Sequence, residues 1–318
     1  NIAPTIHVDH HAIWIDPEDS DHIWLGNDGG LAVSYDFGAT WDFYENLPIA
    51  QFYAVGVDME QPYNIYGGLQ DNGSVKFPSN SIYGQITRDD MDWVGGGDGM
   101  YNLPDPENSR WLYNESQFGW AVRTDQLRGT RTRIQPSPDE EDKEYRFHWT
   151  TPIEISPHNT KIIYMGSQYL MRSLDQGDTW QEISPDLSGA DPEKLEGNIE
   201  FCLISTISES HLQAGVIWVG TDDGKVQVTR NHGGDWTDVT ANLAKAGAPA
   251  EFYVSRVLSS HHEPGRAYAV KTGFQRDDFR PFVFRTDDFG QTWTNVSGDL
   301  PEGIIYVIAE DHHNPDLL

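Results

Sequence analysis

Short apolar runs and turn residues alternate along the whole chain. Ala12-Ile13-Trp14-Ile15 ends in Asp16-Pro17, and a second run, Ile23-Trp24-Leu25-Gly26, follows. The pair returns as Ala54-Val55-Gly56-Val57-Asp58 with Asn64-Ile65-Tyr66-Gly67-Gly68, and as Tyr101-Asn102-Leu103-Pro104-Asp105 with Trp111-Leu112-Tyr113. Later copies begin at Ile153-Glu154-Ile155, Thr206-Ile207-Ser208 and Arg256-Val257-Leu258. A last run, Val307-Ile308-Ala309-Glu310-Asp311, stops at Leu318 before its partner. Runs this short, alternating or wholly apolar and bounded by Asp, Pro, Ser and Gly, predict β-strands. The turn residues Asp16, Asp58, Asp105, Ser156, Glu209, Ser259 and Asp311 are spaced by 42, 47, 51, 53, 50 and 52 residues.

An octapeptide follows several of these pairs. Ser173-Leu174-Asp175-Gln176-Gly177-Asp178-Thr179-Trp180 is its clearest form. Ser34 to Trp41 and Thr286 to Trp293 match the template Ser/Thr-x-Asp-x-Gly-x-Thr-Trp, and Thr229 to Trp236 is a worn copy with Asn231 in the Asp place. The side-chain oxygen of Asp36, Asp175, Asn231 or Asp288 can accept hydrogen bonds from the N–H groups of its own turn. The Gly supplies the positive φ of a tight hairpin. Trp41, Trp180, Trp236 and Trp293 each bring a large apolar area to bury beside the turn. A turn repeated at a period of about 50 residues, with about four short strands per unit, predicts an all-β propeller. Residues 1–318 are expected to form a single propeller domain or a fragment of one, with repeats starting near 11, 52, 98, 151, 204, 255 and 306. Six units and the beginning of a seventh are visible, and residues 1–11 could lend a strand to ring closure.

The repeat sorts residues by face. With strands A to D numbered from the axis outward, the octapeptide is the C–D turn, on the same face as the A–B turn. The opposite face carries the B–C turns and the D-to-A crossings, which ring the mouth of a central funnel. We place Asn27-Asp28-Gly29-Gly30, Gln70-Asp71-Asn72-Gly73, Gly97-Asp98-Gly99 and Thr221-Asp222-Asp223-Gly224 among the B–C turns. Asp-Gly and Asn-Gly are favoured hairpin turns in their own right. Four carboxylates around one mouth could also do acid/base work on a glycosidic bond or hold a cation such as Ca2+. The crossings add Tyr53, Arg146, Phe147, His148, Trp149, Glu200-Phe201 and Tyr253, aromatic and polar together, a mixture that suits a sugar as well as blade packing. The candidate ligand-binding set is therefore Asp71, Asp98, Asp222, Arg146, His148, Trp149, Tyr53 and Tyr253.

Composition narrows the partners. Fifty acidic against 21 basic residues leave a net charge of −29, which repels nucleic acid and anionic membranes. No run of about 18 apolar residues exists to span a membrane. Cys202 stands alone in Phe201-Cys202-Leu203-Ile204, so no internal disulfide forms, and it is expected to be a buried hydrophobe. His158, His211, His261, His262, His312 and His313 fall in A–B turns of different units, with no spacing typical of a zinc site. No metal site and no cofactor is expected. The acidic stretch from Gln135 to Asp142 is expected to be a solvated loop between units.

The octapeptide resembles the Asp-box (BNR) repeat of sialidases, sortilin-type receptors and several glycoside hydrolase propellers. Trp24-Leu25-Gly26-Asn27-Asp28-Gly29-Gly30, Tyr66-Gly67-Gly68-Leu69-Gln70-Asp71-Asn72-Gly73, Val94-Gly95-Gly96-Gly97-Asp98-Gly99 and Val219-Gly220-Thr221-Asp222-Asp223-Gly224 resemble the bacterial sortilin (Vps10)-like propellers. That resemblance implies an extracellular, cell-surface or periplasmic propeller belonging to a larger chain, binding protein or polysaccharide. A more distant likeness is to xyloglucan-cleaving endoglucanases, whose catalytic Asp sits in an Asp-x-Gly-Gly turn. Asp28-Gly29-Gly30 is similar but lacks the intervening residue, and it makes Asp28 the catalytic candidate. Two readings stand: a binding or assembly module, and a hydrolase acting on a β-glucan.

Overall fold

The computed structural model describes residues 6–44, 46–47, 49–140, 143–195 and 201–318. Their strands form six antiparallel sheets of four, each joined in sequence order. These blades span residues 10–43, 52–95, 99–133, 153–182, 204–238 and 253–295. Their starts fall within two residues of the repeats expected from sequence. Among the described residues, helix is confined to Thr240–Lys245 and two short 3-10 turns.

Burial increases from the first blade to the fifth. Strand A of blade 5, Ile204–Glu209, is buried throughout because blades 4 and 6 cover both its faces. Strand A of blade 1, His10–Ile15, is exposed throughout. Aliphatic and aromatic side chains fill the joint between blades 5 and 6, with Trp218, Val228, Val257 and Phe284 at its centre. The joints between blades 3 and 4 and between blades 4 and 5 are built the same way. The joint between blades 2 and 3 differs. Its apolar part is small, Tyr66, Val94 and Leu112. Beside it runs a buried chain of polar side chains. Asn102 donates to Ser74 Oγ at 3.0 Å, Asn114 donates to Asn102 at 2.6 Å, and Thr124 donates to Asn114 at 3.1 Å. Buried amides are tolerated when each finds a partner, as these do. Gly68 lets the two backbones meet there, since a Cβ at this position would lie 2.1 Å from the Met100 carbonyl oxygen.

The octapeptide turns fold as their chemistry dictates. In the clearest copy Asp175 accepts from Thr179 N at 2.8 Å and from Thr179 Oγ1 at 2.6 Å, while Ser173 Oγ accepts from Gly177 N at 2.8 Å. Asp36 and Asp288 repeat these bonds, and Asn231 accepts from Asp235 N at 2.9 Å. The residue before the Gly also takes a left-handed conformation, at φ between 57° and 64° in Phe37, Gln176, His232 and Phe289. The tryptophans do more than cover their own turns. Trp180 donates to the Ile134 carbonyl at 2.7 Å and Trp236 to the Ile183 carbonyl at 2.8 Å, so each indole ties its blade to the end of the preceding one. Trp41 bonds within its own turn, to Gly38, and Trp293 is buried with its N–H unpartnered.

Three expectations change. The seventh repeat contributes no strand, because residues 304–310 find no neighbouring strand to ladder with among the described residues. Its start nonetheless docks on blade 6: Glu310 is buried and accepts from Ser260 Oγ, His261 N and Tyr268 Oη. Residues 6–9 add no extra strand, and residues 1–5 lie outside the described residues, as do Glu141 and Asp142 of the acidic loop and Glu200. Gly97-Asp98 is a D-to-A crossing between blades 2 and 3 and not a B–C turn, since the strands flanking it are Asp92–Gly95 and Gly99–Pro104. Cys202 is fully buried as expected.

Ser173 has no exposed surface and serves both Gly177 and Asp175. Ser173→Ala is expected to lower unfolding free energy by about 1–3 kcal/mol, the cost of orphaning a buried N–H. Urea denaturation measures this, and an unchanged midpoint would refute the turn's structural role.

Candidate functional site at the axis and the crossing face

Antiparallel strands in sequence order place the crossings and the B–C turns at one end of every blade. The first residues of each strand A therefore meet around the axis. Side chains from blades that are not neighbours meet there. Trp149, entering blade 4, donates its indole N–H to Tyr53 Oη of blade 2 at 3.2 Å, and Tyr53 Oη donates to Asp98 at 3.4 Å. His148 lies 5.7 Å, centroid to centroid, from Tyr253 of blade 6, which stacks on Tyr306 at 6.2 Å. The charge of Arg256 of blade 6 acts on the Tyr101 hydroxyl of blade 3 and on Glu154 of blade 4. These bridges close the axis with hydrogen-bonded aromatic and charged side chains.

Carboxyl groups around the axis hold protons unusually tightly. Asp98 is buried and raised above the ordinary carboxylate range, first by burial and then by the charge of Asp71. The nearby Asp71 backbone N–H offsets part of that rise. Burial pushes Asp222 up to about 8, against the pull of the Leu203 N–H, which donates to it at 2.9 Å. Its second oxygen is buried without a partner. Glu154 is likewise pushed to about 8 by burial, although the Glu209 N–H donates to it at 3.0 Å. Burial raises Glu115 well above its ordinary value. A neighbouring cation works in the opposite sense: Lys271 Nζ is buried, held by the Gly224, Pro249 and Ala250 carbonyls, and lowered to about 8 by that burial.

The structure thus brings together Tyr53, Asp71, Asp98, Trp149, His148, Tyr253 and, through its charge on Tyr253, Asp222. Two expected residues lie elsewhere. Arg146 reaches the Cys202 carbonyl at 3.4 Å and Asp186 at 4.0 Å. Asp28 stands in blade 1, 2.6 Å from His11, with its carbonyl accepting from Asn72 at 2.9 Å. Sequence reasoning missed Tyr101, Glu154 and Arg256, which lie within strands A and look there like ordinary strand positions, and Tyr306, which lies in the strandless start of the seventh repeat. It also kept the histidines apart. His211, His261 and His312, from successive repeats, have ring centroids 4.3 and 4.4 Å apart on the opposite face. Burial and then the neighbouring imidazoles lower the pKa of His211 and His261. No group of three metal-binding side chains forms among the described residues.

Beside Asp98, whose N–H donates to Gln117 at 3.0 Å, a cavity of about 460 Å3 opens between blades 2 and 3. It is lined by Val94 to Gly97, Asn114 to Gln117, Trp120, Val122 and Arg131.

No family model and no curated protein matches this chain. Solved structures match its fold. The GH74 xyloglucanase from Xanthomonas campestris aligns at TM-score 0.55 and 15% identity over 92% of this chain and 46% of that one. YCF48 from Cyanidioschyzon merolae aligns at 0.50 and 12%, over 95% and 89%. The extracellular domain of BT3049 from B. thetaiotaomicron aligns at 0.50 and 14%, over 96% and 38%. The chain thus spans less than half of the xyloglucanase. With six sheets in sequence order and these neighbours, the fold is a β-propeller of four-stranded blades. No described helix is long and apolar enough to cross a membrane.

Asp222 binds a proton more tightly folded than unfolded, so folding stability is full below the ordinary carboxylate pKa and is lost as pH rises toward about 8. Asp222→Asn removes this titration. Its stability relative to the parent is expected to rise between about pH 5 and pH 9 by more than about 1.4 kcal/mol, the free energy of a tenfold change in proton affinity. Parallel stability curves for the two proteins would contradict the burial of this carboxyl.

Proposed function

We propose that this chain is an exported, sortilin-like Asp-box propeller that acts as a binding module and holds a glycan on its crossing face. The carrying observation is the chain Trp149–Tyr53–Asp98 with Asp71 beside it. It offers indole and phenol surfaces together with hydrogen-bond acceptors, the combination that recognises sugar rings and hydroxyls. Because bridges between opposed blades close the axis, a ligand lies across the face. The extracellular domain among the structural neighbours supports the exported reading.

A hydrolase acting on a β-glucan is the second reading. Asp98, raised above the ordinary carboxylate range beside a second carboxyl, favours it, as does the likeness to a xyloglucanase. The surroundings of the sequence candidate argue against it. Asp28, the catalytic candidate from sequence, is paired with His11 and not with a second acid.

Retention of the protein on a panel of immobilised polysaccharides, assayed beside release of reducing ends, tests this. Retention without release is expected, with Asp71→Ala/Asp98→Ala weakening it by at least about 10-fold, or about 1.4 kcal/mol. Release of reducing ends that vanishes in Asp98→Asn would establish the hydrolase instead. A folded protein retained by no polysaccharide would remove the glycan.

A further inference from the structure

The cavity between blades 2 and 3 has features that the axial cluster does not explain. Trp120 lies on its wall with 49% of its surface exposed. Trp120 and Val122 share one face of their strand by the two-residue period, Val122 pairs with Arg133, and Thr124 pairs with Arg131. One face of blade 3 therefore presents an indole and two guanidinium groups toward blade 2. Arg133 sits 4.0 Å from the centroid of the Trp120 ring, and Arg131 donates to the Val94 carbonyl at 3.1 Å. Among the described residues neither has a carboxylate within ion-pair distance, whereas Arg110, Arg123, Arg266, Arg276, Arg280 and Arg285 each have one. Arg131 lines the cavity and Arg133 flanks it at Trp120, so in a chain of net charge −29 two guanidinium groups without a carboxylate share this one face.

The floor is equally specific. Gly95, Gly96 and Gly97 line it, and a Cβ on Gly96 would meet nothing within 4 Å. Gln117 and Ser116 add an amide and a hydroxyl. The volume of about 460 Å3 lies within the range of small-molecule sites.

We propose that this cavity is the subsite for a carboxylate-bearing sugar unit of the glycan, an inference that rests on the glycan-binding reading above. The indole takes the face of the ring, and Arg131 and Arg133 pair with its carboxylate, a geometry that guanidinium groups favour. The overall charge of −29 repels a chain that is anionic at every unit. At physiological salt, screening over about 8 Å leaves the local pair of cations free to attract a spaced acid. The ligand is thus a mostly neutral polysaccharide with scattered uronic acids.

Binding of the protein to glucuronoxylan and to the same polymer with its carboxyl groups reduced tests the proposal, with xyloglucan, polygalacturonate and a sulfated galactan alongside. Glucuronoxylan is expected to bind at least about 10-fold tighter than its reduced form, and added salt to narrow the gap. Arg131→Gln/Arg133→Gln should erase that difference. Gly96→Val, and the milder Gly96→Ala, should weaken binding of both by filling the floor. Equal binding of the two polymers, preference for the sulfated galactan, or Gly96 variants that fold and bind normally would each overturn the subsite. In those cases a retained polysaccharide still sensitive to Asp71→Ala/Asp98→Ala would leave the glycan-binding reading intact. Failure to bind any polysaccharide would remove both.

Discussion

Strand order is the constraint on which the molecule depends. Four antiparallel strands joined in sequence leave each blade with two kinds of connection at each end. The A–B and C–D turns share one end, and the B–C turn shares the other with the crossing to the next blade. The octapeptide turns lock the first end, through Asp or Asn acceptors and indoles that reach the previous blade. The second end is left to the side chains that start each strand A, and these converge on the axis.

That convergence sets the chemistry. Around the axis, Asp98, Asp222 and Glu154 hold protons above the ordinary carboxylate range because protein displaces their water. Carboxyl groups in this state donate as well as accept hydrogen bonds. Tyr53 donates to Asp98, and the charges of Arg256 and Asp222 act on the Tyr101 and Tyr253 hydroxyls. Contacts between Trp149 and Tyr53 and between His148 and Tyr253 link blades 2, 4 and 6. The opposite face, with its close, mutually tilted imidazoles from successive repeats, has a different character.

Local patterns carried most of the fold. The period near 50 residues, the octapeptide and the paired apolar runs are short-range features, and the blades begin where they indicate. The site was legible where a residue type is unusual for its place, as with Trp149 and His148 in a crossing. Asp98 was set in the wrong connection because Asp-Gly serves a crossing as well as a hairpin, though both lie on the same face. What sequence could not carry is contact between distant repeats. Tyr101 near Arg256, Trp180 reaching Ile134, and the approach of Trp120 to the end of blade 2 depend on how whole blades pack against one another. Asp28 stands beside His11, a neighbour that its turn motif does not reveal, because such a motif fixes a residue's face and not its neighbours.

The central claim is that ligand meets the face of crossings and B–C turns. Hydrogen–deuterium exchange of the protein with and without a bound polysaccharide tests it most directly. Slowed exchange is predicted at residues 95–99, 116–120 and 146–151, with the octapeptide turns at 34–41, 173–180 and 286–293 unchanged. Protection confined to those turns, or to the exposed strand His10–Ile15, would contradict it.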